Sequence, residues 1–111
     1  MGSFYRILIL CDIEKKKKID IILGESNNDP EIGWGLIIEE DSPNFNQALD
    51  YFIDLIKNNL VELNVVGISI DRITFWYMYE YDQQCNMEFH PDIMKKIGEL
   101  GIVLCISCWE R

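Results

Sequence analysis

The stretch ITFWYMYEY, Ile73–Tyr81, decides how the rest of the chain is read. It is aromatic, β-branched at its start and free of Gly and Pro, which is strand chemistry. Side chains along a strand point to alternate faces. Ile73, Phe75, Tyr77, Tyr79 and Tyr81 therefore share one face, and Thr74, Trp76, Met78 and Glu80 share the other. Both faces carry large side chains, so both read as covered, one of them by a partner.

Downstream, Asp82–Asn86 reads as a turn and Met87–Phe89 as a short returning strand. Pro91 suits the first position of a helix, with Asp92 in its first turn and Ile93, Met94, Ile97 and Leu100 facing inward. Gly101 stops that helix, and Ile102–Trp109 is the last strand.

Upstream, Ser42 is a good N-cap and Pro43 a good first helical residue. Phe45, Ala48, Leu49, Phe52, Ile53, Ile56, Leu60 and Leu63 then recur at spacings of three and four. That predicts one amphipathic helix, ending before Gly67. Trp34–Glu40 reads as a strand, and Glu25–Ile32 carries turn residues. In Glu14–Gly24, Ile19, Ile22 and Leu23 fit a helical face, while Ile19, Ile21 and Leu23 fit a strand. The helix, capped by Gly24, is preferred. Tyr5–Cys11 reads as a buried central strand. Strands interleaved with helices on a chain this short predict an α+β fold. Its expected form is a single antiparallel or mixed sheet with helices packed on one face, of the ferredoxin-like or split βαβ type.

The chain has 111 residues, the size of one domain (1–111), and its 49% hydrophobic content is enough for a real core. Its longest apolar runs, Ile7–Cys11 and Ile102–Ile106, are far short of the roughly 20 residues that span a bilayer. The start, MGSFYRILIL, has no basic n-region, so no membrane partner and no secretion are expected. With Cys11, Cys85, Cys105 and Cys108 then read as free thiols, the expected compartment is the cytoplasm. The net charge is −9 although Lys15–Lys18 holds four of the ten basic residues. Such a field repels nucleic acid and steers a basic partner inward.

No constellation for catalysis stands out. Cys105 and Cys108 have C-x-x-C spacing, but they lie on a strand, which turns residues three apart to opposite faces, and no helix follows. Zinc normally takes turn-borne ligand pairs, so no metal site is assigned and no cofactor is expected. His90 stands alone before Pro91, with Cys85 as its only nearby thiol, and no catalytic residue is assigned. Gly33-Trp34-Gly35 is too short for a phosphate loop. The remaining chemistry suits a docking surface. Glu39, Glu40, Asp50 and Asp54 offer charge, and Trp76, Tyr79, Glu80 and Asp82 offer anchors near the aromatic strand and its turn.

One resemblance adds to this. Trp76–Trp109 contains EYDQQCNMEF (Glu80–Phe89), then Pro91, an Ile/Leu-bearing helix, Gly101 and LCISCW (Leu104–Trp109). It resembles an uncharacterised bacterial family catalogued as domain of unknown function 4279, whose members carry a similar strand, helix and closing strand. Ile19–Gly24 and Trp34 are similar to that family's short helix and next tryptophan. Small bacterial domains of this kind look like immunity proteins of contact-dependent inhibition and related toxin systems. The resemblance implies a non-enzymatic protein that binds a toxin, a basic nuclease domain above all, and covers its active or substrate-binding site. It carries over no site residues. The other reading is a small-ligand or regulatory ferredoxin-like module, with the aromatic strand as a pocket wall. Exposed edge strands leave both monomer and homodimer open.

Overall fold

A computed structural model describes residues 2–27 and 33–111. The chain runs β1 (Phe4–Leu10), α1 (Ile13–Leu23), β2 (Gly33–Glu39), a 3₁₀ turn (Phe45–Gln47), α2 (Ala48–Lys57), α3 (Leu60–Val65), a second 3₁₀ turn (Ile70–Arg72), β3 (Ile73–Tyr81), α4 (Pro91–Leu100) and β4 (Val103–Glu110). The four strands form one sheet in the order β2-β1-β3-β4. β1 is antiparallel to both neighbours, and β3 and β4 are parallel. The fold is therefore α+β with a single mixed sheet. The strand order departs from the expected ferredoxin-like or split βαβ form, in which a strand lies between the two parallel ones: β3 and β4 are direct neighbours, with α4 as their crossover.

Register fixes the two faces of the sheet. Ile7 pairs with Leu36 and Phe75, and Ile9 with Trp34 and Ile73. These side chains meet Ile19 of α1, Phe52, Ile53 and Ile56 of α2, Leu63 of α3 and Ile97 of α4 in one buried cluster. All the helices thus lie on one face. Trp34 is fully buried there, and its indole N–H donates to the Gly24 carbonyl at 3.1 Å, tying the end of α1 to β2. β2 can run so close to β1 because Gly33 has no side chain: a Cβ there would sit 2.0 Å from the Ile9 carbonyl oxygen.

Local chemistry explains where the elements start and stop. The Asp12 carboxylate accepts from the Lys15 N–H at 2.9 Å, so the lysine run opens α1 under an N-cap. In α1 Ile19 is buried while Ile21 is 86% exposed, which settles the ambiguity in favour of the helix. α4 begins at Pro91 and ends at Gly101, whose φ of 78° is the left-handed conformation that glycine adopts without strain.

Two local expectations are corrected as well. The single helix from Ser42 to before Gly67 is a 3₁₀ turn followed by α2 and α3. The Ser42 hydroxyl accepts from the Asn44 N–H at 3.2 Å, forming a local turn rather than a helix cap. The break falls at Asn58 and Asn59, and the Asn59 side chain donates to the Leu55 carbonyl at 2.8 Å, in competition with the helical ladder. Met87–Phe89 is not a strand; the connection shows only an isolated bridge between Asp82 and Gln84. The loop expected over Glu25–Ile32 lies partly outside the described residues.

Candidate interaction surface

Period-two alternation sends the other half of the strand side chains away from the helices. Phe4, Arg6 and Leu8 of β1, Ile37 of β2, Trp76 and Met78 of β3, and Val103 and Trp109 of β4 share this second face. None of them belongs to the buried core or packs against it. Neighbouring side chains shield one another, so most are half-buried, whereas Val103 is 60% exposed. Among the described residues no helix covers this face. Of the two faces expected to be covered, one is closed by the protein itself and the other is open.

Trp76 is held in place. Its indole N–H donates to the Thr74 hydroxyl at 2.9 Å, and the Arg6 guanidinium lies 5.2 Å from the ring centroid. The Arg6 Nε is buried and has no hydrogen-bond partner among the described residues, so the ring face supplies part of what hydration would give that cation. The result is a rigid aromatic surface in the middle of the sheet.

One end of the open face is acidic. Phe4 pairs with Glu39 on one side and Met78 on the other, so the start of β1 meets the ends of β2 and β3. Glu39, Glu40 and Asp41 border a hollow of about 210 Å³ there, together with Gly2 and Ser3. Glu80 reaches the same end and pairs across the ladder with Trp109. Its carboxylate accepts from Arg111 Nε at 2.8 Å and from the Trp109 indole at 3.2 Å. The Arg111 hydrogen bond, opposed by desolvation and helped by the Trp109 indole, holds the Glu80 carboxyl below its ordinary value of 4.5. A lowered folded-state value means that this arrangement stabilises the fold fully above the ordinary carboxylate range. The contribution is lost as pH falls through the lowered value. The Trp109 indole N–H resonance is accordingly expected to titrate with a midpoint below 4.5; a midpoint at or above 4.5 would show that Glu80 is not held this way.

The eight residues picked out in the sequence do not form one patch. Glu39, Trp76 and Glu80 lie on the open face, with Glu40 in the turn after β2 and Asp82 just beyond β3 at the same end. Asp50 and Asp54 stand on the exposed side of α2, in the helical layer, where Asp50 pairs with Lys96 at 3.6 Å. Tyr79 faces the helical side as well. It stacks on Tyr77 at 5.2 Å, Tyr77 stacks on Tyr5 at 4.4 Å, and the Tyr79 hydroxyl donates to the Asn86 carbonyl. Burial raises the Tyr5 and Tyr77 hydroxyls above the ordinary tyrosine value, so these two stay neutral. Phe4, Arg6, Leu8 and Trp109 were not singled out. For the first three the signal is masked because β1 is largely apolar on both faces and reads as wholly buried; Trp109 lies on β4.

Other chemistry is sparse. Cys105 falls on the open face and Cys108 on the helical face, as their spacing requires. The Cys85 thiol contacts that of Cys108; desolvation first, then that contact, raises its pKa, and desolvation likewise raises Cys11. Neither thiol is activated for attack. His90 precedes α4 without a side-chain cap bond. Among the described residues no three His, Cys, Asp or Glu side chains converge to hold a metal ion. No helix among them is long and apolar enough to cross a membrane. The larger hollows, about 470 Å³ beside α2 and β2 and about 460 Å³ between α2 and α4, are not lined by the aromatic side chains of β3.

No family model, curated protein or solved structure matches the chain, so these comparisons add nothing to the resemblance noted over Trp76–Trp109.

Proposed function

We propose that the chain is an acidic binding module that neutralises a basic protein, in the manner of an immunity protein covering a toxin's active or substrate-binding site. The observation that carries this reading is the open sheet face: large side chains outside the core, centred on Trp76 and bordered at one end by Glu39, Glu40, Asp41 and Glu80. An aromatic centre with a polar rim is how protein interfaces are built. The net charge of −9 steers a cationic surface toward it. A nuclease is the natural target class, because a cleft that binds phosphate presents the Lys and Arg that acidic side chains can occupy. The reading assigns no catalytic residue and no cofactor to this chain.

The placement of the acidic groups makes the reading testable once the partner is in hand. Reversing Glu39 and Glu40 to lysine is expected to slow association on the order of tenfold at low salt, with the difference vanishing in high salt. Reversing Asp50 and Asp54, which lie in the other layer, is expected to change association much less. Stopped-flow association rates measure both. Equal effects, or a larger effect from α2, would move the docking surface to the helices.

A further inference from the structure

The two edges of the sheet are treated differently. The outer edge of β2 is closed by the chain itself: the Ser26 hydroxyl accepts from the Gly35 N–H and donates to the Gly35 carbonyl, and the Asn27 amide exchanges hydrogen bonds with the Ile37 N–H and carbonyl at 2.7 and 2.8 Å. Among the described residues β4, at the opposite edge, pairs only with β3. The Arg111 N–H donates to the Tyr81 carbonyl, which turns the peptide groups of odd-numbered residues on this strand inward. Those of Leu104, Ile106 and Cys108 consequently point outward. Val103–Trp109 contains no proline and no charged residue, the usual devices against edge pairing, and Val103 and Ile106 are 60% and 44% exposed.

We propose that two copies of this chain join edge to edge through β4, antiparallel about a twofold axis at Ile106, into one continuous sheet. Charge selects the occupant. A basic partner finds nothing to pair with along an uncharged strand, whereas a second β4 matches it along its whole length. With Ile106 opposite itself, Leu104 meets Cys108 of the second copy on the helical face, and Val103 meets Trp109 of the second copy on the open face. The outward peptide groups exchange about six hydrogen bonds. The acidic ends fall far from one another: the two Glu110 residues stand roughly 27 Å apart along the shared edge at about 3.4 Å per residue. That is beyond the Debye length of about 8 Å at physiological salt. This assembly is independent of the partner proposed above.

Sedimentation of the purified chain across a concentration series tests it. The expected species has twice the 13.1 kDa chain mass, and added salt tightens it by screening the −9 charge of each copy. Ile106→Pro removes only an outward N–H, and Ile106→Lys sets two cations face to face at the axis. Each is expected to weaken the dimer by at least roughly tenfold while far-ultraviolet circular dichroism stays unchanged. If the proline variant loses its fold, the lysine variant decides. A species of 13.1 kDa at every concentration from micromolar to millimolar, or a dimer that a folded Ile106→Lys variant leaves intact, overturns the proposal.

Discussion

Replacing Phe52 with alanine is expected to lower the unfolding free energy by about 3–5 kcal/mol. Phe52 is fully buried at the middle of α2, and its ring lies 5.7 Å from that of Phe75 on the central strand β3. Ile7, Ile9, Ile53 and Ile56 belong to the same cluster. A sheet of four strands cannot bend inward to fill the space left by a phenyl ring, so the cavity term adds to the lost burial. Domains of this kind hold only about 5–15 kcal/mol in total, so the variant loses a large share of its stability. Urea unfolding followed by circular dichroism measures it as a lower midpoint at unchanged slope. A loss below about 1 kcal/mol would mean that the helical layer does not pack on the sheet as described.

Trp76→Ala is expected to do the reverse: little change in stability, and a loss of at least about 2 kcal/mol, or roughly 30-fold, in affinity for the partner. Trp76 lies outside the buried core, so truncating it opens no cavity. What it removes is the largest rigid anchor on the open face, and with it the ring over which Arg6 sits. Tyr51→Ala is the matched control, an aromatic truncation at a residue 50% exposed on α2. It is expected to leave affinity unchanged. Calorimetric titration of the three proteins separates the cases. If Tyr51 matters and Trp76 does not, the helical layer is the docking surface.

These contrasts also show where sequence patterns carry information. β3 was legible to the residue because nothing in Ile73–Tyr81 competes with a strand. α4 was legible because proline and glycine mark its ends for steric reasons that tertiary structure does not override. The helix after Ser42 was misread as continuous because apolar spacing runs on through Leu60 and Leu63. The side-chain bond from Asn59 to Leu55 interrupts the ladder without disturbing that spacing. The candidate surface was half legible. Alternation separated Trp76 and Glu80 from Tyr79's face in principle, yet Tyr79 was grouped with them because it is adjacent in the turn region. The bond from Arg111 to Glu80, and the position of Arg6 over Trp76, depend on strand order, which one sequence does not reveal.

The proposed role, binding and silencing a basic protein through the open sheet face, has a direct test. The tagged chain serves as bait in lysate of the cells it comes from, beside a Trp76→Ala bait. One basic domain is expected to be retained at one-to-one stoichiometry by the unaltered bait, to lose its toxic activity on binding, and not to be retained by the variant. Recovery of the bait alone, of bound small molecules, or of a partner held equally by both baits would contradict it.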